Sequence, residues 1–240
     1  MSFDNNVNDK RVVVITGFSK GIGKSIAEEF AKAEYNVLIN SMDEKELKIA
    51  AEEISNAIGD RNRIAFVAGD ISNQQFSELL MDEALLKFGR IDVLINNGKI
   101  TVESNKINEN DSNPKPKINS KQPPYFVLEE FDLISPKIKG VYFSIKAAVK
   151  RMLNNNKNNS SIINISSCQG CMPLSAANLC TFSRSGIDPY IDSMANTETI
   201  TKTIALELAD KGIRVNGIIP GLVDKDMNEE LCGDTYKRNQ

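Results

Sequence analysis

"RVVVITGFSKGIGKSIAEEF", residues 11–30, decides how the rest of the chain is read. Val12, Val13, Val14 and Ile15 form an apolar, β-branched run with no alternation, which predicts a strand buried on both faces. Gly17, Gly21 and Gly23 follow at once. From Ile22 the apolar residues return at four-residue spacing, through Ile26 and Phe30, as on one face of a helix. Glycines between a strand and a helix let the backbone turn tightly and approach a pyrophosphate, whose charge faces the helix N-terminus. Thr16, Gly17, Ser19, Lys20, Gly21, Ile22 and Gly23 are therefore the first candidates for binding a dinucleotide.

The same alternation continues outward. Strands are expected at 36–40 (NVLIN), 63–69 (RIAFVAG), 91–97 (IDVLINN), 161–166 (SIINIS) and 213–219 (IRVNGII). Helical patterns lie between them, at 44–58, 73–88, roughly 129–153, and from 189 onward. Strands alternating with amphipathic helices predict an α/β fold, a doubly wound parallel sheet of about six strands with helices on both faces. Its ligand belongs beyond the C-terminal ends of the strands. Two stretches break the rhythm. Residues 101–124 are polar and proline-bearing and read as a flexible insertion, and 154–161 are an Asn-rich turn. With no repeat and no boundary signal, residues 1–240 are expected to form one domain, with a polar tail at 1–10 and a short tail at 228–240.

Bulk properties narrow the function. The net charge of −3 gives no electrostatic basis for nucleic-acid binding. The longest apolar runs fall short of a membrane span and the N-terminus is polar, so no membrane partner is expected and the cytoplasm is the expected location. Cys168 and Cys171 have the spacing of a redox pair or half a metal site. The chain has no histidine, and Cys180 and Cys232 are scattered, so no metal site is expected and the pair reads as loop-filling residues.

The choice of nucleotide turns on the end of the second strand. A carboxylate there would hold the ribose hydroxyls of NAD. The strand instead ends in Asn40 and Ser41, and Asp43 lies about 20 residues beyond Gly23. Asp43 and Glu46 read better as a capping box for the next helix. Lys20, within the glycine-rich loop, offers a cation for a 2′-phosphate. NADP(H) is expected, with NAD(H) as the alternative.

Taken together, the TGxxxGxG at 16–23, "GD" at 69–70, "NNG" at 96–98, "NISS" at 164–167, the helix "TKTIALELADKGIRVN" and "PG" at 220–221 resemble the short-chain dehydrogenase/reductase family, over roughly residues 11–227. The resemblance implies a Rossmann-type fold and hydride transfer between nicotinamide and a carbonyl or alcohol, so a small-molecule substrate. It also implies cofactor contacts from Asp70, Ile71, Asn97, Gly98, Pro220, Gly221 and Val223. The family's usual catalytic set is Asn, Ser, and the Tyr and Lys of a YxxxK motif. The tyrosine is the general acid/base, the lysine holds the ribose and lowers the tyrosine pKa, and the serine binds the substrate oxygen.

Ser167, the second serine of "NISS", matches the family serine. The tyrosine has two registers. Counting forward from Ser167 reaches Cys180, with Arg184 for the lysine. Counting back from "TKTIALE" reaches Tyr190, with Met194 for the lysine. The first register buries Pro189 in a helix interior, at about 3 kcal/mol. The second puts the extra residues in a loop, with Asp188 as N-cap and Pro189 as the first helical residue. Tyr190 is taken on that ground.

Departures from the family accumulate around it. Methionine supplies no cation, and a phenol with an ordinary pKa near 10 is a poor base at neutral pH. The family asparagine falls on Lys137, and Lys99 replaces the last glycine of the family's NNAG. Lys225 stands where a threonine is usual. Lys137 or Lys99 would have to supply the missing charge, Lys137 being the first candidate. The alternative is a pseudoenzyme that binds the dinucleotide in a sensor or scaffolding role. With only residues 228–240 after Met227, the family's last strand and its subunit contact are expected to be absent. A homodimer through the helices at 129–153 and 189–210 is the expected assembly.

Overall fold

The computed structural model of the chain describes residues 10–18, 21–97, 136–154, 159–166 and 189–220, with the backbone alone at 136–137 and 189–196. In chain order these are β1 (Val12–Thr16), α1 (Ile22–Lys32), β2 (Asn36–Ser41), α2 (Glu44–Ile58), β3 (Ile64–Ala68), α3 (Gln74–Phe88), β4 (Val93–Asn96), α4 (Pro136–Asn154), β5 (Ser160–Ile165), α5 (Pro189–Leu208) and β6 (Ile213–Ile218). The six strands form one parallel sheet in the order β3-β2-β1-β4-β5-β6. This is the expected doubly wound, Rossmann-type arrangement. The order reverses between β1 and β4, and in doubly wound sheets the ligand crevice lies at such a point, outside the C-terminal strand ends.

The unbroken apolar run of β1 has its explanation in the two cores. Val12 and Val14 pack into the cluster under α3, α4 and α5, with Leu80, Phe88, Ile145 and Val215. Val13 and Ile15 pack into the cluster under α1 and α2, with Ala27, Leu47 and Ile54. A central strand with a helix layer on each side needs an apolar side chain at every position.

Helix starts follow local chemistry. The Asp43 carboxylate accepts from the backbone N–H of Lys45 and Glu46, at 2.9 and 3.0 Å, and so caps α2 as expected. The Asp43 N–H is itself held by Ser41 Oγ, at 3.2 Å. Asn73 caps α3 through the N–H of Phe76. Helices α3 and α4 are clamped by Arg151, whose guanidinium meets Asp82 at 2.7 Å and also bonds Glu78. Burial alone would lower the Arg151 pKa, but the bonds from Asp82 and Glu78 outweigh it, and the pKa is raised.

At the N-terminal strand ends sits a buried ion cluster. Asp92, 4% exposed, accepts from the Val12 N–H at 2.8 Å and from Arg90 Nε at 2.8 Å, with Arg11 Nε at 3.8 Å. Arg11 also covers the ring of Tyr35, 5.5 Å from its centroid. Among the described residues no helix is long and apolar enough to cross a membrane.

Candidate functional site

The strand ends bring together residues far apart in the chain. After β1 the backbone enters the turn at Gly17, with φ of 60°, and reaches α1 through Gly21, with φ of 90°. Both values lie in the left-handed half of conformational space, where a side chain is strained. Gly21 stands at the N-cap of α1 without a side-chain cap, and the first turn carries no acidic residue. The helix therefore presents N–H groups and the positive end of its dipole, the combination that receives a phosphate. Lys24, in that first turn, is turned toward α2. Its hydrogen bond to Glu53 raises its pKa, helped by the charge of Glu28.

Asn97 ties this turn to β4. Its Nδ2 donates to the Gly17 carbonyl at 3.1 Å, and its N–H donates to the Thr16 carbonyl at 3.2 Å. A Cβ on Gly23 would lie 2.7 Å from that Nδ2, so glycine there is what lets α1 approach β4. The Phe18 N–H donates to the Asn40 carbonyl at 2.7 Å and carries the turn across the end of β2. Asn40, 1% exposed, reaches on to β3, where its Nδ2 donates to the carbonyls of Val67 and Gly69.

The third strand end is shaped by Asp70, which accepts from the N–H and the hydroxyl of Ser72 at 2.8 and 2.7 Å. Ile71 lies against α4: a Cβ on Gly140 would come within 2.9 Å of its Cγ1. Gly140 follows Lys137 by about one helical turn, so the backbone of Lys137 stands at the start of α4, one turn before the contact with Ile71.

Four buried side chains then cross the sheet. Thr16 Oγ1 donates to Asn96 Oδ1 at 3.1 Å, and Asn96 Nδ2 donates to Asn164 Oδ1 at 2.8 Å. Asn164 Nδ2 donates to Thr201 Oγ1 at 2.8 Å, and Thr201 Oγ1 donates to the Thr197 carbonyl at 2.7 Å. The series runs from β1 through β4 and β5 into α5.

Helix α5 begins at Pro189, so Tyr190 is its second residue and Met194 lies one turn on. Tyr190, Met194, Thr197 and Thr201 follow the spacing of a single helix face. Thr16, Gly17, Gly21, Ile22, Gly23, Ser41, Asp70, Ile71, Asn97 and Pro220 all stand at or next to strand ends or the start of α1. Ser19, Lys20, Gly98, Lys99, Ser167, Cys168, Cys171, Cys180, Arg184, Gly221, Val223 and Lys225 lie outside the described residues, as do the insertion at 101–124 and the tail at 228–240. The sequence reading gave no site role to Phe18, Asn40, Asn96, Asn164 or Thr201, which hydrogen bonds tie to these strand ends. Their signal was present in outline, as polar residues at the ends of apolar strands or on the inner face of a helix.

Residues 11–235 match the short chain dehydrogenase family, and the chain belongs to it. It is thus an NAD(P)-dependent oxidoreductase by family. Glucose 1-dehydrogenase 2 of Bacillus subtilis is 30% identical over 232 residues, which are 96% of this chain and 78% of the relative. A 3beta-hydroxysteroid dehydrogenase of Eggerthella lenta is 30% identical over 95% of this chain and 76% of its own length. Among solved structures, ElxO with NADP bound superposes with a TM-score of 0.69 at 26% identity, over 95% of this chain and 79% of that one.

Proposed function

We propose that the protein uses NADP(H) to interconvert a small carbonyl compound and its alcohol, with Tyr190 as general acid/base. The observation that carries this reading is the start of α5 at Pro189, which puts Tyr190 in the first turn of a helix docked on β5 and β6 through Thr201. Bound NADPH would supply a hydride to the carbonyl carbon. The Tyr190 hydroxyl would give its proton to the carbonyl oxygen, and Ser167 would hold that oxygen by hydrogen bond. Lys137, one turn before Gly140 at the start of α4, is the first candidate to lower the tyrosine pKa, since Met194 cannot.

The preference for NADP rests on the end of β2. Ser41 closes the strand, and the carboxylate of Asp43 is engaged in capping α2, so no free acid is offered to a ribose 2′-hydroxyl. Lys20 supplies the complementary cation to a 2′-phosphate. A homodimer through α4 and α5 is supported by the exposed apolar side chains Tyr142 and Leu153 on α4 and Leu206 on α5, the last 80% exposed.

Titration with both nucleotides, followed by a panel of sugar, steroid and simple carbonyl substrates, tests the reading. NADPH should bind more tightly than NADH and be oxidised by at least one carbonyl. Lys20→Ala should weaken NADPH binding by about 1.5–3 kcal/mol and leave NADH binding nearly unchanged. Tighter binding of NADH would overturn the cofactor assignment, and binding without any turnover would favour the pseudoenzyme.

A further inference from the structure

The hydrogen-bonded series across the sheet has a direction. Thr16, Asn96, Asn164 and Thr201 each donate toward the next, and the last bond ends on a backbone carbonyl of α5. Asn164 is fully buried and Thr201 is 7% exposed, so no solvent competes for these bonds. Bonds aligned head to tail in a low dielectric reinforce one another. Asn96 and Asn164 are also register partners in the β4–β5 pairing, so the sheet itself sets their approach.

Thr201 is the joint between that series and the helix. Its hydroxyl takes a hydrogen from Asn164 Nδ2 and gives its own to the Thr197 carbonyl, four residues back. A threonine hydroxyl bonded to the i−4 carbonyl commonly bends a helix. The segment on the far side of that bond is the one that begins at Pro189 and carries Tyr190. Tyr190 precedes Thr201 by three turns, about 16 Å along the axis and only about 20° around it. A rotation of about 10° about the axis moves a group about 6 Å from it by about 1 Å. A misplacement of that size in a reacting group is worth about a hundredfold in rate.

We propose that Asn164 and Thr201 are positioning residues for catalysis: their hydrogen bond fixes the angle at which α5 leaves the sheet, and with it the position of the first turn of α5, which carries Tyr190. This rests on the reading of Tyr190 as the acid/base. A buried amide and hydroxyl could serve stability alone, so the test must separate the two roles.

The full-length protein is labelled with ¹³C at the tyrosine ζ-carbon. It has five tyrosines, and Tyr190→Phe assigns the signal of interest. Thr201→Val keeps the shape and removes both hydrogen bonds, whereas Thr201→Ser keeps both. Thr201→Val should shift the Tyr190 resonance and lower kcat by about ten- to a hundredfold, with the NADPH Kd unchanged. Thr201→Ser should restore the resonance and the rate. Should Thr201→Val fail to fold, Thr201→Cys, a weaker donor and acceptor of similar size, should give a smaller shift in the same direction. A Tyr190 resonance and kcat left at wild-type values by Thr201→Val or Thr201→Cys would overturn the proposal, as would a serine variant as impaired as the valine one. Wild-type protein that never oxidises NADPH would instead defeat the catalytic reading, and the resonance would still decide whether Thr201 places Tyr190.

Discussion

The two ends of the sheet are held by different chemistry. At the N-terminal strand ends, charges meet: Asp92 with Arg90 and Arg11. At the C-terminal ends, where the Asp70 carboxylate is exposed, the buried series is of neutral amides and hydroxyls: Thr16, Asn96, Asn164 and Thr201. A fixed buried carboxylate beside the crevice would repel a dinucleotide's phosphates, whereas a neutral polar series fixes geometry without adding a field. The charged end carries stability and the neutral end carries placement. That division can be broken in several ways.

The largest effect is expected at the neutral end. Tyr190→Phe should remove turnover by a factor of about 10²–10⁴, the usual worth of a general acid/base, with NADPH binding and thermal stability close to wild type. Steady-state kinetics beside a nucleotide titration checks it. Intact activity would shift attention to the Cys180 register.

Next comes the charged end. Asp92→Ala strands Arg90 and the Val12 N–H without their acceptor and should cost about 3–5 kcal/mol in denaturant unfolding. The rate per folded molecule should not change, because Asp92 stands at the opposite end of the sheet from the crevice. A folded Asp92→Ala protein with a lowered kcat would show that the two ends are not separable.

Met194→Lys sharpens the comparison by adding a charge to the neutral end. One unit of pKa in Tyr190 is worth about 1.4 kcal/mol, or tenfold in the ionised fraction that accepts the alcohol's proton, so alcohol-oxidising turnover at neutral pH should rise by about tenfold. A fall in turnover would mean that another amine already serves, Lys137 before Lys99.

The smallest effect concerns Lys24, whose side chain is 37% exposed. Its pair with Glu53 should contribute less than about 1 kcal/mol, so Lys24→Met is expected to cost no more than that. The hydrogen bond to Glu53 raises the lysine above its ordinary 10.5. Its contribution is therefore complete below pH 10.5 and is lost as pH rises through the folded-state value. Urea unfolding of both proteins at neutral pH and above pH 10.5 would measure the difference shrinking.

The sequence alone determined the alternation of strands and helices, the two-sided burial of Val12–Ile15, the cap at Asp43, and the glycine turn that opens α1. These depend on residues a few positions apart, whose spacing along a strand or helix is fixed by backbone geometry. Pro189 marked the start of α5 for the same reason. What only the tertiary structure decided were contacts between distant segments. Asn164 meets Asn96 across 68 residues and Thr201 across 37. Asn97 meets Gly17 across 80, and Ile71 fills the space against Gly140. Each needs strand order and register before the two residues can touch. A buried asparagine looks in sequence like any other polar residue near a loop, and its partner is chosen by the sheet that forms around it.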